Sequence, residues 1–190
     1  MKQLGNPYWW GTFGQVATRS LLEQKRKQYP NQYTAKDFEG QLGKIVHDCV
    51  GLIKGYRWTN DGKLTYKANQ DVDVSGMLKS CSKQGTINTM PDVPGTLVFM
   101  SGHVGVYIGN GEVIEAMGHA YGVVLTKLKN RPWTKWGQPD WIEYEVKEMT
   151  KEEQIKLIKE KAGLEDNTIQ FLDSYRWGDQ LIEKLANAMK

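Results

Sequence analysis

His103-Val104-Gly105-Val106-Tyr107-Ile108-Gly109-Asn110-Gly111-Glu112-Val113-Ile114-Glu115-Ala116 reads as two antiparallel strands and the turn between them. Successive side chains of a strand point to opposite faces, so Val104, Val106 and Ile108 share one face and His103, Gly105 and Tyr107 the other. Asn110-Gly111 is a strong hairpin signal, because both residue types accept positive φ. A loop of those two residues alone sets Val106 opposite Glu115 and buries a carboxylate among valines. An odd-length connection or a bulge instead sets Ile114 and Ala116 beside the valines and moves Glu115 to the face of His103 and Tyr107. A slip of one residue inverts every side chain, so the apolar pattern selects the odd connection.

Outward from this hairpin, Thr96 to Met100 predicts a preceding strand after the Pro91–Gly95 turn, and Val123 to Leu128 and Trp141 to Val146 predict later ones. Arg131-Pro132-Trp133-Thr134-Lys135-Trp136-Gly137 separates those two as an aromatic, proline-broken stretch. Upstream the periodicity is helical. Thr18 to Tyr29 forms a helix stopped by Pro30, and Thr34-Ala35-Lys36-Asp37 starts a shorter one with Phe38 and Leu42 on one face. A third begins at Cys49 and continues through Leu52, Ile53 and Tyr56. Trp58 to Lys63 is a polar loop. Val72 to Cys81 is a further amphipathic helix whose apolar face makes Cys81 a core residue.

From Thr150 the pattern is helical only, with a capping box in Thr150-Lys151-Glu152-Glu153 and Gly163 after the helix. Two more short helices follow around Ile169–Leu172 and Leu181–Leu185. Tyr175 and Trp177 fall at helical spacing, which favours a packed face over a wall anchor. The expected architecture is α+β: helices packed on a meandering antiparallel sheet over residues 1–148, then a helical extension over 149–190.

Composition limits the partners. A net charge of +3 is too small to argue for nucleic acid, though it suits a mildly anionic polymer. The two cysteines allow at most one disulfide and make no metal-ligand cluster. No cofactor is called for. No apolar run reaches the roughly 18 residues of a membrane span. Met1 to Pro7 lacks the apolar centre of a signal peptide, so the chain is expected to be made in the cytoplasm and to meet an external substrate after release. The oligomeric state is left open. Gly5-Asn6-Pro7-Tyr8-Trp9-Trp10-Gly11-Thr12-Phe13-Gly14 is either a hydrophobic plug over a core edge or one wall of a binding groove.

His47-Asp48-Cys49-Val50-Gly51-Leu52-Ile53 puts a cysteine where a helix begins. Unpaired N–H groups and the helix dipole favour the thiolate there, and a lowered pKa is expected. The bland alternative is a small buried thiol. A nucleophile needs a base, and the chain has three histidines. His47 is too near Cys49 in sequence to face it on a helix. His103 shares a sheet face with Glu115, and that face is expected to lie under the Cys49 helix. Cysteine, imidazole and an orienting carboxylate are the parts of a thiol-nucleophile site. His119, on the same face by parity, is the rival for the orienting position.

These residues resemble the NlpC/p60 cell-wall cysteine peptidases. Asp48-Cys49-Val50-Gly51-Leu52 is similar to that family's nucleophile motif Asp-Cys-Ser-Gly-Leu/Phe. Pro94-Gly95-Thr96-Leu97-Val98-Phe99 is similar to its Pro-Gly-Asp-Leu-Val-Phe strand. His103 to Gly111 matches its histidine strand, and Gly5 to Gly11 its aromatic entry. The resemblance covers Gly5 to about Tyr144. It implies a circularly permuted papain-like core and hydrolysis of amide bonds in peptidoglycan stem peptides, usually between γ-linked D-glutamate and the diamino acid. An N-acetylmuramoyl-L-alanine amidase and a non-catalytic wall-binding or phage structural module are the alternatives.

By the motifs, Cys49 is the nucleophile, His103 the base and Glu115 the orienting residue. Tyr8 and Asp48 line the substrate groove, with Tyr8 or the backbone near Cys49 as oxyanion donor. Two residues depart from the pattern. The third position is commonly His, Asn or Gln, and here it is Glu. The motif serine is Val50, which removes a hydroxyl that would join Asp48 in binding a free stem-peptide amine. The long insert before Cys49, together with the leaderless start, resembles phage or prophage lysins.

Overall fold

The computed structural model describes residues 2–144 and 149–189. The chain forms two compact units, Met1–Tyr144 and Glu145–Lys190. In the first, β1 (Phe13–Val16) leads to α1 (Arg19–Gln28), and β2 (Ile45–His47) leads to α2 (Cys49–Trp58). The two-residue strands β3 (Thr59–Asn60) and β4 (Lys63–Leu64) form a small hairpin where a plain loop is expected. Then come α3 (Val74–Lys79), β5 (Cys81–Thr86), β6 (Leu97–Met100), β7 (His103–Gly109), β8 (Glu112–Ala116), β9 (Val123–Lys127) and β10 (Lys135–Pro139).

Strands β5 to β10 make one six-stranded antiparallel sheet in the order β5-β10-β6-β7-β8-β9. The β7–β8 register is the one that the apolar pattern selects. Val106 pairs with Ile114 and Tyr107 with Val113, and a bulge between Tyr107 and Gly109 absorbs the extra residue before Glu112. Asn110 and Gly111 turn the chain at φ 54° and 68°, the left-handed conformation that a tight hairpin needs.

Four sequence expectations are corrected. Cys81 opens β5 instead of closing a helix, although it is buried in the core as expected. Its sulfur packs where Gly137 of β10 leaves no Cβ, since an added Cβ would sit 2.6 Å away. Strand β10 itself falls in a stretch read as a separator; a proline and two tryptophans hide its alternation. Trp141 to Tyr144 is not a strand, and the remainder of that expected strand lies outside the described residues. The helix expected after Thr34 is a 3₁₀ turn, Asp37–Gln41, without a side-chain cap.

One face of the sheet is covered by α2. Cys49, Val50 and Ile53 pack with Leu97, Phe99 and Val104, and Leu52 packs with Ile114, Ala116 and Val123. Helix α2 comes this close to β1 because Gly51 and Gly55 lie on one of its faces. A Cβ on Gly51 would meet the Thr12 carbonyl oxygen at 1.8 Å, and one on Gly55 would meet that of Phe13 at 2.4 Å. The other face buries Val98, Tyr107 and Val113 with Trp133. The second unit contains α4 (Lys151–Ala162), α5 (Asp166–Ser174) and α6 (Gly178–Ala188) around Ile158, Ile169, Ile182 and Ala186. Thr150 and Glu153 form the expected capping box. Tyr175 and Trp177 are exposed, against the packed face expected for them, because both fall in the turn between α5 and α6.

Candidate active site

Asp48 fixes the start of α2. Its Oδ1 accepts from the Gly51 N–H, and its Oδ2 accepts from Gly11 N–H at 2.8 Å. One carboxylate therefore caps the helix and holds the aromatic entry against it. Cys49 follows as the first helical residue, buried and free, as is Cys81. The thiol lies against the backbone N–H of Val104, and the N–H groups of Val50 and Cys49 also favour its thiolate. Burial and then the Asp48 charge outweigh them and push the thiol up to about 12. The expected lowering is thus reversed: desolvation exceeds what the helix terminus supplies.

His103 is the first residue of β7, immediately before Val104. Its Nε2 lies 2.7 Å from Glu115 Oε2. The strand parity that places these two together holds, but α2 covers the opposite face, that of Val104 and Ile114. Cys49 therefore approaches the first residues of β7 from the other side of the sheet and does not lie over the face of Glu115.

Glu115 is fully buried. Thr126 donates to its Oε1 at 2.7 Å, and Arg131 adds Nε to Oε1 at 3.0 Å and Nη2 to Oε2 at 2.9 Å. Burial by itself would raise the Glu115 carboxyl; the bonds from His103, Thr126 and Arg131 outweigh it and hold the group below its usual range. Glu115 is consequently an ionised acceptor, so the hydrogen in the His103 contact sits on Nε2, and in the neutral ring Nδ1 is the nitrogen with the lone pair. Trp133 stacks on the imidazole at 5.7 Å between centroids, and the Arg131 guanidinium lies 5.8 Å from the Trp133 ring. Gly105 makes room for the indole: a Cβ there would be 3.1 Å from its edge.

The sequence reading missed Arg131, Thr126 and Trp133. A signal was present. A carboxylate assigned to a buried sheet face requires a cation, and Arg131-Pro132-Trp133 offers a guanidinium one strand connection away.

The remaining histidines are engaged elsewhere. His119 Nε2 lies 2.7 Å from Asp37 Oδ1, and its ring packs on Phe38 at 4.3 Å. His47 lies in β2 with Nε2 2.9 Å from Gln3 Oε1, and burial lowers its pKa to about 4.

The aromatic entry divides its work. Trp9 is buried with its indole N–H on Gln41, as a plug. Tyr8 and Trp10, together with Lys25, Asp48, Cys49 and Gly102, border a groove of about 570 Å³. Burial raises the Tyr8 phenol, and Cys49 and Asp48 raise it further, so its hydroxyl stays protonated and can donate. Among the described residues no cluster of three or more His, Cys, Asp or Glu side chains offers a metal site.

A sequence model of the NlpC/P60 family matches residues 5–139. Among solved structures, the chain is similar to NlpC2 from Trichomonas vaginalis, with 17% identity, a TM-score of 0.42, and coverage of 75% of this chain and 43% of that one. It is also similar to the P60 domain of antigen MAP1204 from M. avium subspecies paratuberculosis, with 22% identity, a TM-score of 0.43, and coverage of 72% and 86%. The chain thus spans less than half of the Trichomonas protein. No curated protein matches it.

Proposed function

The chain belongs to the NlpC/P60 family of cell-wall peptidases, and from that membership we propose that it hydrolyses an amide bond in the stem peptides of peptidoglycan, with Cys49 as nucleophile and His103 as base. The bond between γ-linked D-glutamate and the diamino acid is the one assigned to it, and the Met1–Tyr144 unit carries the chemistry. The observation that supports this most is the hydrogen bond between His103 Nε2 and Glu115 Oε2. It points the proton-bearing nitrogen at the carboxylate and leaves Nδ1 free to accept.

His103 opens β7 at the strand end where the Cys49 thiol meets the Val104 N–H, and in this reading the thiol transfers its proton there, to Nδ1, as its sulfur adds to the substrate carbonyl. Backbone N–H groups at the start of α2 and the Tyr8 hydroxyl are the donors for the developing oxyanion. Imidazolium then protonates the leaving amine, and the C–N bond breaks to give a thioester. Water adds next, giving its proton to His103. The thioester C–S bond breaks, the acid departs, and the thiol is restored.

Arg131 allows Glu115 to occupy a position where the family more often has a neutral side chain. The guanidinium cancels the carboxylate charge, so the pair orients the imidazole as a neutral acceptor would.

Clearing of a peptidoglycan suspension by the wild-type protein, lost in Cys49→Ala, tests the reading. A parent that clears nothing supports a non-catalytic wall module instead. Mass spectrometry of the digest identifies the bond: a new N-terminal diamino acid is expected, and freed L-alanine N-termini would mean an amidase.

A further inference from the structure

Lys25 is on the buried face of α1, three residues from Leu22, and only 8% exposed. A lysine usually lays its stem along apolar surface and keeps its ammonium in water. This one is turned inward and borders the groove that holds Cys49 and Asp48.

The partners that its Nζ reaches among the described residues are neutral. Gln28 Oε1 accepts from Nζ at 3.2 Å, and the Tyr29 ring lies 5.4 Å away. Gly11 is adjacent, since a Cβ on it would be 3.3 Å from Nζ. The carboxylates bordering the groove are committed elsewhere: Asp48 to Gly11 and Gly51, Asp71 to Lys54 and Tyr66, Asp73 to the Gly76 N–H at the start of α3. Among the described residues Lys25 forms no ion pair. Burial lowers its pKa while Asp48 and Asp71 hold it up. An ammonium has three donors, and a desolvated one without an anion gains from any carboxylate that reaches it.

We propose that Lys25 Nζ is a carboxylate-binding subsite of the groove, so that the protein selects stem peptides by an anionic group. This rests on the peptidase reading above. It also fits the loss of the motif serine at Val50. With Asp48 already bound by two backbone N–H groups, the groove beside it offers an ammonium to the substrate instead of a partner for a free amine.

The test uses the full chain carrying Cys49→Ala, so that peptide is bound and not cut. L-Ala-γ-D-Glu-diaminopimelate and versions with each carboxylate replaced in turn by a carboxamide are titrated calorimetrically. One of these replacements is expected to weaken binding about tenfold, in keeping with a charged hydrogen bond. Adding Lys25→Met is expected to abolish that difference, and Lys25→Arg to keep it. Equal sensitivity to amidation with and without Lys25, or no sensitivity at all, overturns the subsite. Turnover by the wild type is scored separately on the same peptides. Turnover that ignores amidation refutes the subsite and leaves the peptidase; carboxylate-selective binding without turnover does the reverse.

Discussion

Glu115 and Arg131 meet through two parallel hydrogen bonds, 3.0 Å from Nε to Oε1 and 2.9 Å from Nη2 to Oε2, with the carboxylate wholly buried. A planar guanidinium fork of this kind is the strongest common partner for a carboxylate. Breaking such a pair from one side leaves an uncompensated charge and costs about 3–5 kcal/mol, whereas replacing both charges costs far less. The pair therefore behaves as a unit. Arg131→Met is expected to lower kcat/KM about a hundredfold, and Glu115→Gln about tenfold. The double variant should recover to near the Glu115→Gln level, because glutamine keeps an acceptor for His103 Nε2–H without the charge. Losses that simply multiply would show that the two residues act independently.

Gly105 ties the fold to the histidine. A Cβ there would be 2.6 Å from Val113 Cγ1 and 3.1 Å from the Trp133 ring, which in turn stacks on His103. Overpacking of this kind costs about 1–3 kcal/mol. Gly105→Ala should therefore lower the melting temperature, and it should lower kcat more than stability requires, since the indole that fixes the imidazole must move. Trp133→Phe is the comparison: its smaller ring should relieve the contact at the indole, though not the one at Val113, and restore part of kcat but not the melting temperature in the Gly105→Ala background.

The pair His103 and Glu115 was legible because strand parity needs no tertiary information: apolar residues on one side of a hairpin dictate what lies on the other. The bulge before Glu112 was legible for the same reason. Which face α2 covers was not, since parity is symmetric and the choice depends on how Gly51 and Gly55 let β1 pass. Arg131 was hidden because its partner lies two strands back, across β9 and a 3₁₀ turn. Cys81 misled because Val74, Met77 and Leu78 really are helical, and the period changes to strand only at the cysteine itself. The thiol pKa went astray through weighing a helix terminus without the desolvation that accompanies it.

Burial and Asp48 push the Cys49 thiol up to about 12, so the neutral thiol is the resting form at neutral pH. Alkylation of Cys49 by iodoacetamide is expected to accelerate about tenfold per pH unit from pH 7 to 10, as the small thiolate fraction grows. Thiolate absorbance near neutral pH should be absent. A rate plateau around pH 6–7 would show that the proton already resides on His103 before substrate binds, and would count against the order of steps given above.

His47 sets a separate pH limit, on stability. Its ring is buried beside β1, and burial holds its pKa at about 4 against an ordinary 6.5. Above pH 6.5 the ring is neutral in folded and unfolded chains alike, and its contribution to stability is fully present. Between 6.5 and 4 the unfolded chain takes up the proton while the folded one does not, so unfolding becomes favoured as the pH falls. The contribution is lost progressively through that window and amounts to roughly 3 kcal/mol at its lower end. Urea unfolding of the wild type should therefore show a midpoint that drops steeply from pH 6.5 to 4. His47→Gln, which keeps a polar side chain near Gln3 but cannot be protonated, should flatten that slope while leaving the midpoint at pH 8 within about 1–2 kcal/mol of wild type. An unchanged slope in the variant would assign the acid sensitivity to the carboxylates, Glu115 foremost. Its lowered pKa makes it lose stability in the same direction but at lower pH.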